Sequence, residues 1–336
     1  MAPVPSDIAS RLPAGLVARM ADDADLERMV EFENRFANAA RWESPAGVRA
    51  FFRTNPQPDR LAIVVERHGE IVGQGTVSDG GMWASPDGSW RGGIRVAPDW
   101  RGHGSAKALL ALLEEHARGR GAKRFMTSIR GNEPEGLAFA TAQGYAEFHR
   151  RFDAYIAVAA FDPSRFDDPD EIARRAGVRL LSYGELARAR AGDLETMQRT
   201  LIAMFWEVGK DVPSPAPMPK EPPPFEQARR MFFEGPGMDA AATIVALRGD
   251  TPVGMTANMV KENGVAYTNF TGVVRAERGK GLALAMKLRA LRDLRERGVR
   301  LFGTTNDEAN AAMRGINARL GYVPDPPTIM VAKQLS

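Results

Sequence analysis

Residues 268–288, TNFTGVVRAERGKGLALAMKL, constrain this chain most, because they read as strand, tight glycine turn and helix, and because they have a counterpart upstream. In residues 278–283, RGKGLA, two glycines stand where the strand ends and an apolar-periodic helix (Leu284, Leu288, Leu291) begins. Lacking Cβ, they let the turn bend tightly and bare its backbone N–H groups. Such donors, with the positive end of the helix dipole, favour an anion by about 0.3–1 kcal/mol at an exposed site. Arg278 and Lys280 are expected to add positive charge. Residues 101–106, RGHGSA, repeat the pattern: Val96 and Val273, Arg101 and Arg278, and Gly144-Tyr145 and Gly321-Tyr322 all stand 177 residues apart. A unit of strand, glycine turn, helix, strand, helix and Gly-Tyr therefore occurs twice, which predicts two domains.

No GxxxxGK[ST] run is present and neither turn completes GxGxxG, which argues against a nucleotide P-loop and a Rossmann site. Both turns instead match [RQ]-x-x-G-x-[GA], and the chain resembles the GCN5-related N-acetyltransferase (GNAT) family, in a tandem arrangement similar to mycothiol synthase and the Eis-type acetyltransferases. The resemblance implies an α/β fold of the α+β kind: two tandem domains, each a twisted mixed sheet flanked by helices. It implies acetyl-CoA as cosubstrate. Its pyrophosphate is expected on Arg278, Gly279, Lys280, Gly281, Leu282 and Ala283, with Thr271, Val273 and Asn310 as further contacts. In the first copy the corresponding residues are Val96, Arg101, Gly102, His103, Gly104, Ser105 and Ala106. Asn310 has a second reading, as a helix N-cap.

The 336 residues suffice for two domains, expected at 14–160 and 178–336 with a proline-punctuated acidic linker at 161–177. The strand at 148–158 is expected to complete the first sheet and that at 328–333 the second. Residues 212–224, VPSPAPMPKEPPP, are expected to form an extended loop. A net charge of +3 is too even for a nucleic-acid groove, though a pI near 9.2 permits an acidic ligand such as CoA. With no cysteine and four histidines, no thiolate nucleophile and no bound metal is expected. No apolar run approaches about 18 residues, so a cytoplasmic protein without membrane contact is expected, a monomer or homodimer.

The resemblance further implies transfer of the acetyl group to a primary amine of a small molecule by direct attack. A neutral amine attacks the thioester, so an ammonium with a pKa near about 10.4 must be deprotonated and the leaving thiolate protonated. Where many members carry a tyrosine acid, this chain has Ala140 and Asn317; Asn317 can hydrogen-bond a thiolate but not protonate it. Neither strand entering a glycine turn carries a carboxylate, which leaves Glu207 and Glu234 as candidate bases in the second copy and Glu31 and Glu33 in the first. Each is equally a solvated surface carboxylate. Phe205, Trp206, Met218 and Phe225 are the expected acceptor wall. Turnover is expected in the second domain, because Glu133 stands where the second copy has Asn310. The alternative is a non-catalytic or half-active acyl-CoA-binding scaffold or sensor.

Overall fold

Gly69 and Gly249, both at positive φ, turn the first long hairpin of each copy, and the two sheets are built outward from those hairpins. The computed structural model describes residues 12–38, 40–212 and 221–335. Along the chain come β1 (Val17–Met20), α1 (Asp25–Asn34), α2 (Pro45–Thr54), β2 (Leu61–Arg67), β3 (Glu70–Ser78), β4 (Ser89–Val96), α3 (Ser105–Gly119), β5 (Arg124–Arg130) and α4 (Pro134–Ala142). The second half follows with β6 (Ala146–Ala157), α5 (Pro169–Arg175), β7 (Arg179–Ser182), α6 (Tyr183–Ala189), α7 (Leu194–Gly209), α8 (Phe225–Phe233), β8 (Ile244–Arg248), β9 (Thr251–Val260) and β10 (Val265–Val273). It ends with α9 (Leu282–Glu296), β11 (Leu301–Asp307), α10 (Ala311–Leu320), β12 (Val323–Pro324) and β13 (Thr328–Gln334). The central portion of the expected proline-rich loop, residues 213–220 with Met218, lies outside the described residues.

Two units emerge, but not with the expected boundaries. The first comprises residues 1–150 with 327–336, the second residues 151–326. In the first unit the strand order is β1-β2-β3-β4-β5-β13; in the second it is β6-β11-β10-β9-β8-β7, with β12 also on β6. The strand after the first Gly-Tyr thus completes the second sheet, and the last strand completes the first, the reverse of the expectation. The registers are equivalent: Arg130 faces Thr328 in one unit and Asp307 faces Arg151 in the other. Because β6 and the segment 323–334 occupy the same place in the repeat, either satisfies the same antiparallel edge, and local pattern cannot choose between them. The expected linker is also corrected. It forms α5, capped by Asp168, with Phe161, Ala173 and Val178 in the core of the second unit.

Each sheet carries its glycine-turn helix on one face. In the first unit, Leu109, Leu112, Leu113 and Ala117 of α3 recur at helical spacing and pack with Trp90, Val96, Phe125, Ile329 and Val331. On the other face Met29 and Phe32 of α1 meet Ala62, Val64 and Ile71. Ser44 caps α2, accepting from the Gly47 amide at 2.9 Å, and Pro45 sits at its first turn, where its missing N–H leaves no gap. In the second unit Leu284, Leu288, Leu291 and Leu294 of α9 pack with Ala154, Ile156 and Phe302. Its opposite face is lined by α6 and α7 through Tyr183, Leu186, Met197, Leu201 and Met204. Among the described residues, no helix is long and apolar enough to cross a membrane.

Candidate active site

Both glycine turns have one geometry. Gly102 and Gly104 have φ of +79° and +89°, Gly279 and Gly281 +78° and +79°, so each turn needs two residues in the left-handed region that favours glycine. Gly104 and Gly281 are the N-caps of α3 and α9, and neither helix has a side-chain cap. First-turn amides therefore remain for an anion, the arrangement a pyrophosphate needs. A Cβ at Gly102 or Gly279 would meet nothing within 4 Å; at Gly281 it would reach Ile172 Cγ2 of α5 at 3.1 Å.

The arginine that opens each turn does not act as a free charge. Arg101 donates from Nε to the carbonyl oxygen of Val96 at 3.1 Å, and Arg278 to that of Val273 at 2.9 Å. The shared offset of valine and arginine thus has a structural cause: the guanidinium ties the end of the strand to the turn. The outer nitrogens meet carboxylates, Arg101 with Glu135 at 3.0 Å and Arg278 with Asp211 at 2.7 Å. Lys280 donates to Glu277 at 2.9 Å, and Glu277 is held down to about 2 by Arg248 and then Lys280. The expectation that Arg278 and Lys280 add unopposed positive charge is corrected. With these side chains paired, the first-turn backbone N–H groups are the donors each turn has left for an anion. His103 stands exposed, Ser105 and Leu282 are buried, and Ala106 and Ala283 pack against the cores.

Beside each turn the central strands part. In the second unit β10 pairs in parallel with β11 only from Val265–Leu301 to Thr268–Thr304, although both strands run further. A register shift between Thr268 and Phe270 bends β10 while it stays paired with β9 as far as Val273. In the first unit β4 and β5 pair only at Ser89–Arg124, Trp90–Phe125 and Arg91–Met126. Residues 92–96 of β4 and 127–130 of β5 then flank an opening without a ladder between them.

Opposite α3, that opening leads to a cavity of about 480 Å³ between α1, α2 and the sheet. Glu33 lies on its wall. The Glu33 carboxylate accepts from Arg95 Nε at 2.8 Å and from Gln74 Nε2 at 2.9 Å, and its side chain is still 45% exposed, so it is oriented yet reachable. Arg95 projects from β4 at the opening, lies 5.4 Å over Phe36 and approaches Glu133 at 3.6 Å. Glu133, expected to repel the cofactor, is therefore matched by a cation. Arg95, Gln74 and Arg60 were missed in the sequence; the legible signal was Gln74 between two glycines in the middle of a strand, where it is 5% exposed.

The candidates of the second unit are not assembled. Glu207 is exposed and bonded to Lys210 at 2.6 Å, and Glu234 is paired with Arg229 at the end of α8. Asn317 is buried on α10, donating to Asn306 at 3.2 Å, and no hydrogen bond joins it to either glutamate among the described residues. Asn310 caps α10 by accepting from the Met313 amide at 3.2 Å. Thr271 pairs with Thr256 at 2.9 Å. Of the expected acceptor wall, Phe205 packs between Phe232 and Phe270, with centroids 4.3 and 4.4 Å away, Trp206 is 4% exposed, and Phe225 lies under Arg199 at 3.7 Å.

No curated protein matches this sequence. Solved structures do. A GCN5-related N-acetyltransferase from Sphaerobacter thermophilus superposes with TM-score 0.70 at 18% identity, covering 96% of this chain and 97% of its own. A tandem GNAT protein from the clavulanic acid biosynthesis pathway gives 0.73 at 18% identity, with 96% and 99% covered. A putative acetyltransferase from Pyrococcus horikoshii gives 0.56 at 12%, with 96% and 90% covered. At these identities the likeness speaks for the fold. The sequence profile of the Acetyltransferase (GNAT) family matches residues 26–145 and 206–322, well over half of the chain and once around each glycine turn. With the family's pattern present twice and both turns in anion-cradling geometry, the chain belongs to the GNAT family of acetyltransferases.

Proposed function

We propose that this enzyme moves an acetyl group from acetyl-CoA to a primary amine by direct attack, and that the acceptor is received in the first unit. The observation that carries this is the cavity opposite α3, where Glu33 lies beside the parted strands β4 and β5. The thioester supplies an activated acyl carbon. The amine nitrogen bonds to that carbon, the carbon–sulfur bond breaks, and CoA leaves as thiolate. Glu33, held by Arg95 and Gln74, takes the ammonium proton directly or through water before attack; the second proton that the nitrogen loses as the amide forms goes to solvent, from which the thiolate takes its own. Turnover thus moves from the second unit, where the sequence pointed, to the first. The grounds for the second have weakened, since the Asn310 side-chain oxygen is engaged in capping. The second turn keeps the full cradle and is read as a second CoA site.

Two measurements test this. In an acetyl-transfer assay that follows CoA release, Gly104→Val should abolish transfer, while Gly281→Val should leave it and reduce the number of CoA molecules bound in calorimetry. The reverse pattern overturns the choice of unit. Glu33→Gln should lower kcat by about 10²-fold at neutral pH with CoA affinity unchanged, the usual size of a positioned base. Full activity of that variant removes Glu33 from the mechanism.

A further inference from the structure

The lining of the first unit's cavity holds more cationic than anionic side chains. Four arginines, Arg41, Arg60, Arg95 and Arg130, line it against two glutamates, Glu33 and Glu43. Arg95 is bonded to Glu33 at 2.8 Å, but Arg60, at the entry to β2, has no hydrogen bond or ion pair from its side chain among the described residues. Its guanidinium lies 4.5 Å from the Phe52 ring centroid, and the aromatic face fixes its plane while leaving the N–H edge open. Burial pushes this group below its ordinary value, opposed only by the field of Asp23. A half-buried cation without a bonded carboxylate suits a site whose counter-charge arrives with the ligand.

We infer that the acceptor is an amine that also carries an anionic group, a carboxylate or phosphate ester, seated on Arg60 over Phe52 while its amine faces Glu33. The inference rests on the acceptor reading above and deepens it. A cavity of about 480 Å³ is of small-molecule size. Guanidinium offers carboxylate and phosphate a paired set of donors, and the stacked Phe52 sets their direction. The two charges also sort the substrate: an amine without an anion leaves Arg60 unmatched, and an anion without an amine leaves Glu33 with Arg95 alone and no proton to take.

The test uses the full chain and a panel of free amino acids, their carboxamides and phosphoethanolamine. Wild type should acetylate some members of the acid series, or phosphoethanolamine, with higher kcat/KM than the matching carboxamides or ethanolamine, the two arms separating carboxylate from phosphate. Arg60→Gln should lower kcat/KM for the anionic substrate by about tenfold or more, chiefly through KM, and leave the neutral analogue unchanged, as removal of one charge-assisted contact predicts. Arg60→Lys, which keeps the charge and loses the planar fork, should fall between. Equal losses on anionic and neutral amines, or no wild-type preference for the anion, overturn the inference. If no amine is acetylated, the transfer reading fails by itself. Calorimetry with the same compounds then decides this one: anion-dependent binding lost in Arg60→Gln sustains it, and binding indifferent to the anion or to Arg60 ends it.

Discussion

Lys287→Met is expected to stabilise the second unit by several kcal/mol at neutral pH and to flatten its pH dependence. Lys287 is on α9, fully buried, with Nζ lacking a hydrogen-bond partner; it lies 5.6 Å from the Phe302 centroid and 5.3 Å from that of Tyr322. Two aromatic faces soften the desolvation of an ammonium but do not replace water. Burial brings Lys287 down to about 7 from 10.5. Between those values the unfolded chain binds the proton and the folded chain does not, so stability rises with pH across this window, by about 1.4 kcal/mol per unit. Below pH 7 the charged lysine is carried into the core and the penalty, about 5 kcal/mol, is present in full. Above pH 10 Tyr322 reverses the trend, since burial holds its hydroxyl well above its ordinary value and only the unfolded chain ionises it.

Methionine keeps the length of the stem without the charge and fits an irregular core gap. The readout is denaturant unfolding from pH 6 to 10, with amide exchange in α9 to assign the transition. Wild type should gain stability toward pH 10, and Lys287→Met should be more stable at pH 7 and nearly flat. A wild-type curve without slope, or a variant that keeps it, would show that Lys287 remains hydrated and charged. In the first unit the repeat places Leu110 at this position, and the buried Tyr145 donates to Glu114 at 2.9 Å, which Lys333 meets at 2.8 Å.

The second large effect concerns the exchanged strands. Removing residues 327–336 should unfold the first unit and leave the second folded. β13 pairs with β5 along seven residues, from Thr328–Arg130 to Gln334–Arg124. Ile329, Val331 and Leu335 are buried in the core of the first unit, and Met330 is 7% exposed. At about 1.5–3 kcal/mol for each such side chain, the loss approaches the whole stability of a typical domain. Loss of Lys333 also strands Glu114, which is 7% exposed. Limited proteolysis and amide exchange should show residues 61–130 unprotected and residues 244–307 still protected. If removal unfolds residues 244–307 and spares 61–130, the strand assignment is reversed.

Much of this protein was legible without coordinates. The two turns, the helices behind them and the family they announce follow from short-range chemistry: glycines that adopt positive φ at least cost, leucines at helical spacing, and an arginine at a fixed distance from a valine whose carbonyl it binds. These are local relations, and a repeat of 177 residues doubles their weight. The parting of β4 from β5 came only with the structure.

What only the tertiary structure decided is partnership between distant residues. Nothing local distinguishes β6 from β13 as the mate of β5, because the repeat gives them equivalent registers. Sequence could name Glu33 as one carboxylate among several, but its partners Gln74 and Arg95 come from two other strands. Arg278 and Lys280 looked like free cations until Asp211 and Glu277 met them. Lys287 sits in a run of leucines and alanines like any helix-surface lysine, and its burial is set by how α9 lies on the sheet. Charge and pattern are properties of the chain, whereas neutralisation and desolvation belong to pairs brought together by folding.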